Sequence, residues 1–262
     1  MADCANCPSK DQCSTEDKAA CMLEENPDSN VKYVIAVASG KGGVGKSTVA
    51  TLLAWALKQR GLKVGLMDAD LTGPSIPRLL RVVNEKPVPL GHKILPVVGP
   101  DGLLAMSIQY LLDEETKPVI WRGPLLAATV KQFWTEVVWG DLDVLVVDLP
   151  PGTGDVPLTI LQSMPVDGVL MVALAQDMVS MVVQKAVGLV QEMKVPLLGV
   201  VENMTGLICP HCGEEVPLFS DEEAEKGFME AAGAEVLARL PMRPDILGVS
   251  RTGVKEMSEE SK

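Results

Sequence analysis

Residues 40–47 carry the residue types and spacing of a phosphate-binding loop. They read Gly-Lys-Gly-Gly-Val-Gly-Lys-Ser and satisfy the pattern G-x-x-x-x-G-K-[ST] at every position. An apolar run at 33–38 precedes them, and residues 49–60, with apolar side chains at helical spacing, follow. In such a strand–loop–helix unit, glycine N–H groups and the helix N-terminus surround phosphate oxygens. The pattern therefore predicts a nucleoside triphosphate site, with Lys46 on the β- and γ-phosphates and Ser47 on Mg²⁺.

A dinucleotide-binding loop is the alternative interpretation of the same glycines. Gly40, Gly42 and Gly45 also spell G-x-G-x-x-G, and Asp68 lies at the end of the next predicted strand, where that fold places an acid. However, the dinucleotide pattern uses neither the lysine nor the serine that ends the loop, and it predicts no acid at the end of a further strand. The triphosphate interpretation is therefore favoured.

Acidic residues follow two further apolar runs. The predicted strand at 62–67 is followed by Asp68 and Asp70, and the run at 144–147 is followed by Asp148. Because the carboxyl ends of parallel strands face the ligand crevice, we expect these acids beside the phosphate loop. Asp148 fits a Walker B acid that holds Mg²⁺ through water. The loop that comes next, 149–155, contains two prolines and two glycines, and its conformation can follow the γ-phosphate.

Length and composition suit one α/β domain with appendages. The chain has 262 residues, and its hydrophobic share of 47% is ample for a core. A net charge of −12 argues against binding to nucleic acid or to an anionic membrane, since both require Lys and Arg to neutralise phosphate. No apolar run is long enough for a membrane span, and the N-terminus does not resemble a signal peptide. These features predict a soluble, cytoplasmic protein.

The cysteines fall into two groups outside the predicted nucleotide core. The first group lies near the N-terminus and consists of Cys4, Cys7, Cys13 and Cys21. Its thiolates suit a [4Fe–4S] cluster, and a zinc knuckle or a disordered tail with idle thiols are the alternatives. The second group is the C-x2-C turn of Cys209 and Cys212, which supplies half of a tetrahedral set. A symmetric dimer would bring two such pairs together. His211 is left out, because three adjacent donors on one tight turn are sterically awkward.

Two features of the switch and phosphate loops carry a family resemblance. Lys41, near the start of the loop, is typical of the deviant Walker A ATPases, which include MinD, ParA and the nitrogenase iron protein. The string Asp-Leu-Pro-Pro-Gly-Thr-Gly-Asp at 148–155 resembles that of their Mrp/ApbC branch, the iron–sulfur cluster carrier ATPases. The resemblance extends from residue 32 to about 254. It implies an α/β fold: a P-loop NTPase three-layer sandwich of the SIMIBI type with a mostly parallel sheet.

The resemblance also implies a function. Members of this branch bind a [4Fe–4S] cluster between the two subunits of a homodimer and deliver it to apo-proteins, using ATP and Mg²⁺; a cluster-donating scaffold is implied as a further partner. Cys209 and Cys212 would bridge the cluster. The implied catalytic residues are Lys41, which would cross to the partner's nucleotide, Lys46, and Asp70, which would orient the attacking water in a slow hydrolysis.

Further nucleotide contacts follow from the same resemblance. Asn203 would recognise adenine, with a strand-end cap as the alternative interpretation, and Arg243 belongs to a loop, 241–244, that would close over the base. The implied nucleotide-binding residues are Gly42, Gly43, Val44, Gly45, Lys46, Ser47, Thr48, Asn203 and Arg243. The predicted domain organisation is a cysteine-rich segment at 1–31 and an ATPase domain at 32–262, with the C-x2-C insert near 205–219. The step from Cys7 to Cys13 resembles the N-terminal cluster motif of the eukaryotic nucleotide-binding carriers, and Cys21 departs from their pattern.

The rival from another class is a zinc-bridged dimeric targeting or positioning ATPase. MinD-like proteins end in a basic amphipathic helix, whereas residues 254–262 are acidic and weakly apolar. A tail-anchor chaperone needs a Met-rich subdomain, and no contiguous insert of that kind is found. An electron-transfer protein like the nitrogenase iron protein needs cysteines near its switch loops, and none lies between 22 and 208. The cluster carrier is therefore the predicted function.

Overall fold

The computed structural model describes residues 22–112, 123–174, 181–209, 211–218, 229, 232–243, 246, 249, 253 and 254. In this part of the chain a nine-stranded sheet is formed by β1 (Asn30–Ser39), β2 (Val64–Asp68), β5 (Val97–Val98), β6 (Leu104–Met106), β7 (Asp141–Asp148), β8 (Gly168–Leu174), β9 (Leu197–Ile208), β10 (Glu215–Pro217) and β11 (Val236–Met242). A separate hairpin pairs β3 (Val88–Leu90) with β4 (Lys93–Leu95). The helices are α1 (Lys46–Gln59), α2 (Ile76–Leu79), α3 (Gly123–Thr135), α4 (Asp155–Ser163) and α5 (Met181–Glu192), and 3₁₀ turns lie at Pro100–Gly102 and Ile108–Leu111.

The strand order explains where the functional loops meet. The order is β10-β9-β8-β1-β7-β2-β6-β5, with β11 also paired to β9, and β5 and β10 are antiparallel to their neighbours. Parallel pairing of β2 with β7 sets Asp68 directly beside Asp148. On the other side of β7, its partner β1 ends at Ser39, where the phosphate loop begins. The predicted acids therefore lie at the same edge of the sheet as the loop.

Alternation along the central strands divides the core into two layers. On β1, Val34, Ala36 and Ala38 face one layer, which is closed by α3, α4 and α5. Val37 faces the other layer, which is closed by α1 and α2. A strand that buries both faces needs apolar side chains at consecutive positions, as the 33–38 run has. Helices on both faces of a mostly parallel sheet confirm the predicted three-layer α/β sandwich.

Three element boundaries differ from those expected from the sequence. Helix α1 begins at Lys46, so the phosphate loop leads directly into it. Strand β9 continues to Ile208 through residues 202–206, whose composition is that of a turn, because β10 and β11 pair with its second half. Strand β11 likewise includes residues 241 and 242, which were expected to lie in a loop, and Arg243 follows it directly. Tertiary pairing overrides the loop-like composition of these segments.

The chain before β1 is attached to the body of the domain. Leu23 donates its N–H to the carbonyl of Ser163 at 2.8 Å and accepts from the indole of Trp134 at 3.1 Å. Asn26 is fully buried. The chain at Leu23 is therefore fixed against α3 and α4. Residues 4, 7, 13 and 21, the N-terminal cysteines, lie outside the described residues, and the division into segments at 1–31 and 32–262 stays a prediction.

No helix within the described residues combines the length and apolar character needed to cross a bilayer.

Candidate nucleotide site and cysteine hairpin

The phosphate loop has the backbone conformation that its glycines permit. Gly43 and Gly45 both have φ of +82°, in the left-handed region that other residues adopt only with strain. Helix α1 starts immediately after Gly45, so its first N–H groups face the loop. The hydroxyl of Ser39 donates to the carbonyl of Lys41 at 3.0 Å and holds the start of the loop. This is a cradle of N–H groups suited to phosphate.

A cleft of about 250 Å³ opens above this loop. It is lined by Ser39, Lys41, Gly42, Gly43, Gly45, Lys46, Ser47, Thr48, Asp70, Gly73 and Pro151. Of the phosphate-loop residues predicted to bind nucleotide, only Val44 does not line the cleft; its side chain is buried in the core. Ser39, Gly73 and Pro151 were not predicted as site residues; Ser39 and Gly73 lie beside predicted motifs, and Pro151 lies within the string at 148–155.

Lys46 and Asp148 form a buried ion pair at the floor of the cleft. The ammonium donates to Oδ1 of Asp148 at 2.6 Å, and the two side chains are 6% and 0% exposed. Burial raises the pKa of Asp148, and the charge of Lys46 opposes that rise. The second carboxylate oxygen, Oδ2, is buried and has no hydrogen-bond partner among the described residues. Such an acceptor fits a water molecule bound to Mg²⁺, so the residues present suit the predicted metal.

Asp68 holds the loop that follows β2, residues 69–75, through hydrogen bonds. Its carboxylate accepts hydrogen bonds from the N–H groups of Ser75 and Ile76 at 3.2 and 3.3 Å, and from the hydroxyl of Ser107 at 3.0 Å. Complete burial, followed by the nearby charge of Asp148, raises the pKa of Asp68 to about 8. Asp68 therefore positions the loop, and no sequence pattern predicted the hydrogen bond from Ser107.

Asp70 lies in the cleft wall. Its Oδ1 accepts from the N–H of Gly73 at 3.3 Å and from the hydroxyl of Thr72 at 3.2 Å, in a local turn. Unlike Asp68, its side chain is partly exposed and lines the cleft. This placement suits the predicted contact with the attacking water, whereas the neighbouring Asp68 is occupied with the loop backbone.

The two residues predicted to hold the base are not part of the cleft lining. Asn203 is buried, and its amide nitrogen donates to the carbonyl of Val44 at 2.8 Å. It thus contacts the back of the phosphate loop. Arg243 follows β11, the strand beside the one that carries Asn203. Base recognition by Asn203 and Arg243 stays a prediction.

Cys209 and Cys212 lie at the tip of the hairpin formed by β9 and β10, which we call the cysteine hairpin (residues 205–218). Cys209 donates its N–H to the carbonyl of Glu214 at 2.9 Å and accepts from the N–H of Gly213 at 2.9 Å. N–H groups of Cys212 and His211 near its sulfur lower the pKa of Cys209 and favour the thiolate, the form that binds metal. The side chain of Cys212 is exposed and that of Cys209 is partly exposed.

The cysteine hairpin alone does not complete a metal site. Within the ranges that the structure describes, no group of three or more His, Cys, Asp or Glu side chains is placed to hold a metal ion. The two thiols are accessible, and their role as half of a metal site stays a prediction. Further ligands have to come from a second chain or from residues outside the described ranges.

Comparisons with known proteins agree with this geometry. Residues 30–262 match the model of the ParA family described as NUBPL iron-transfer P-loop NTPase. The chain belongs to this family. An iron-sulfur cluster carrier protein of Methanocaldococcus jannaschii is 43% identical over 244 residues, which cover 91% of this chain and 83% of the relative. The predicted family is thereby confirmed.

Two solved structures also align with this chain. A nucleotide-binding protein of Archaeoglobus fulgidus in complex with ADP aligns with a TM-score of 0.76 at 40% identity, over 87% of this chain and 89% of that one. The MinC:MinD cell division complex of Aquifex aeolicus aligns with a TM-score of 0.59 at 21% identity, over 84% of this chain and 86% of that one. The second match extends to the fold alone, and it agrees with the three-layer α/β sandwich.

Proposed function

We propose that this NTPase is an ATP-dependent iron–sulfur cluster carrier. Two chains would bind one [4Fe–4S] cluster between the tips of their cysteine hairpins and deliver it to apo-proteins. The observation that carries the proposal is the exposed pair Cys209 and Cys212, in the turn that follows β9, the strand whose Asn203 contacts the phosphate loop. The name of the Methanocaldococcus relative, iron-sulfur cluster carrier protein, supports it.

The homodimer is proposed because one cysteine hairpin has fewer thiolates than a [4Fe–4S] cluster binds. A [4Fe–4S] cluster is held by four thiolates, and each hairpin offers two. A two-fold axis beside the hairpin tip would supply the other two from the same residues of a second copy. Lys41, exposed at the mouth of the cleft, would reach the nucleotide of the partner in such a dimer.

ATP hydrolysis is the proposed activity of the cleft. The N–H groups of the phosphate loop would hold the β- and γ-phosphates, with Lys46 neutralising their charge. Mg²⁺, held by Ser47 and through water by Asp148, supplies further charge neutralisation when bound. Asp70 would orient the attacking water from the cleft wall. Turnover is expected to be slow, because a single carboxylate in a solvent-accessible wall activates the attacking water only modestly.

The remaining cysteines and partners belong to the same proposal. Cys4, Cys7, Cys13 and Cys21 would form a second cluster site in the N-terminal segment. Apo iron–sulfur proteins would be the clients and a scaffold the source of the cluster. Neither nucleic acid nor a membrane is a proposed partner, since the chain carries a net charge of −12.

A transfer assay tests the carrier function. Protein reconstituted without oxygen is mixed with an apo-enzyme that is active only with a [4Fe–4S] cluster, in the presence of a chelator that captures free iron. Recovery of enzyme activity is expected with the wild-type chain and not with Cys209→Ser/Cys212→Ser. A variant with serine at all four N-terminal cysteines separates the two cysteine groups. Equal recovery with the Cys209→Ser/Cys212→Ser variant would refute the assignment of the hairpin.

A further inference from the structure

We infer that Asn203 couples the phosphate loop to the cysteine hairpin, and so transmits nucleotide binding to the cluster site. The inference rests on the proposed function, because it names the regulation of that same site. It assigns Asn203 a positioning role that differs from recognition of the base.

A single peptide group connects Asn203 with the cleft. The amide of Asn203 holds the carbonyl of Val44, and this carbonyl shares a peptide plane with the N–H of Gly45. No described peptide is cis, so the C=O and N–H of this peptide point in opposite directions. With the carbonyl turned towards Asn203, the N–H is turned towards the cleft, which Gly45 lines. A phosphate oxygen that accepts from Gly45 would polarise and orient the bond that Asn203 makes on the other side.

The contact is so close that the phosphate loop at Gly45 and the side chain of Asn203 cannot move independently of each other. A Cβ atom placed on Gly45 would lie 2.2 Å from Nδ2 of Asn203. Asn203 is 6% exposed and Val44 is 2% exposed, so the contact is enclosed by the core. Rearrangement of the loop at Gly45 must therefore displace Asn203 or break its hydrogen bond.

The pairing of strand β9 with β8 ends at Asn203. Among the described residues, Asn203 is the last residue of β9 that pairs with β8, opposite Leu174. On its other side it pairs with Leu240 of β11. Just before it, the buried carboxylate of Glu202 accepts from Arg239 of β11 at 2.8 Å. The strand is therefore clamped up to Asn203.

Beyond Asn203 the strand contains an irregularity that can act as a hinge. Met204 has φ of +58°, and β9 has three residues where β11 has only Pro241 between paired positions. Such bulges bend a strand and interrupt its ladder. After the bulge, β9 pairs with β10 and, at Leu207, again with Met242 of β11. Leu207 and Val216 on this arm are 40% and 50% exposed. The arm that ends in Cys209 is thus connected to Asn203 through the irregular segment.

The test measures hydrogen exchange at the backbone amides of the cysteine hairpin, so it can be carried out on protein without a cluster. Hydrogen–deuterium exchange of peptides covering residues 205–218 is measured on the full chain with and without saturating Mg²⁺ and a non-hydrolysable ATP analogue. In the hairpin, N–H groups of Cys209, Gly213 and Leu218 are hydrogen-bonded and report its opening. Nucleotide is expected to slow exchange of these peptides by about fivefold, the lower end of ordinary allosteric couplings.

Variants of Asn203 distinguish coupling from base recognition. Asn203→Ala removes the contact, and Asn203→Asp keeps the shape but replaces the donor. Both should still bind the analogue at saturating concentration and protect the phosphate loop, while exchange in the hairpin no longer responds. Asn30→Ala, an exposed asparagine at the start of β1 and at the opposite end of that strand from the phosphate loop, is the control and should respond like the wild type.

Two results would overturn the inference. One is a hairpin response of wild-type size in both Asn203 variants at saturation. The other is a wild-type hairpin that does not respond while the phosphate loop is protected. Affinities for ATP and GTP, measured on the same variants, show whether Asn203 selects the base. Because the measurement uses cluster-free protein, its outcome is separate from whether the chain carries iron.

Discussion

The ammonium of Lys46 lies 2.6 Å from Oδ1 of Asp148, and both side chains are buried. The pair joins the phosphate loop to the end of β7, so it contributes to the fold as well as to the site. Removing one partner of a buried ion pair leaves an uncompensated charge, which is more costly than removing both.

Replacement of Lys46 should therefore destabilise the domain. Lys46→Met is expected to lower the free energy of unfolding by about 3 kcal/mol at pH 7, measured by denaturant titration without nucleotide. The double variant Lys46→Met/Asp148→Asn should recover most of the loss. Lys32→Met, which breaks the exposed pair with Asp143, is the control and should change stability little. A Lys46→Met variant as stable as the wild type would show that the pair is not formed in solution.

Asp70 is expected to affect hydrolysis more than binding. Asp70→Asn keeps the oxygen that accepts from Gly73 but loses the negative charge. Turnover of ATP should fall about 100-fold or more, while the affinity for a non-hydrolysable analogue changes little. Asp141→Asn, exposed at the opposite end of β7, serves as the control. A matching loss of affinity in Asp70→Asn would indicate a role in binding.

Two glycines of the phosphate loop form a matched pair for mutation. Gly43 and Gly45 share φ of +82°, but a Cβ on Gly43 would meet nothing within 4 Å, whereas one on Gly45 would collide with Asn203. Gly43→Ala should cost about 1 kcal/mol from backbone strain alone. Gly45→Ala should cost clearly more, and adding Asn203→Ala should recover part of the difference. Equal losses, measured by unfolding without nucleotide, would contradict the contact.

The elevated pKa of Asp68 predicts a pH dependence of stability. Its pKa is about 8 in the folded chain and ordinarily 3.8. Between these values the folded state binds a proton that the unfolded state has released, so the free energy of unfolding falls as pH rises. The slope is at most about 1.4 kcal/mol per pH unit. In metal-free and nucleotide-free buffer, Asp68→Asn should show a flatter profile from pH 5 to 8 than the wild type. Parallel profiles would assign the titration to another group.

The phosphate loop and its acids could be predicted because their chemistry is local. The motif at 40–47 is complete in sequence, Asp68 and Asp148 each end an apolar run, and Asp70 comes two residues after Asp68. Parallel pairing then brings them together, as the register of β2 and β7 shows. The rule that the carboxyl ends of parallel strands face the ligand crevice was sufficient to predict that these acids lie beside the phosphate loop.

The course of β9 could not be predicted in the same way. The stretch Glu-Asn-Met-Thr-Gly at 202–206 has the composition of a turn, and Met204 does adopt a left-handed conformation. The strand nevertheless continues, because β11 and β10 supply partners that are distant or later in the chain. The contact of Asn203 with Val44 likewise spans 159 positions and has no local signal.

The central claim is that Cys209 and Cys212 of two chains hold one cluster. The most direct measurement is iron, sulfide and zinc content combined with native mass spectrometry, on protein purified and reconstituted without oxygen and with serine at the four N-terminal cysteines. The account predicts about four iron and four sulfide per dimer, lost together with the cluster-bound dimer in a further Cys209→Ser/Cys212→Ser variant. One zinc per dimer, with no iron after reconstitution, would contradict it and favour a zinc-bridged targeting ATPase.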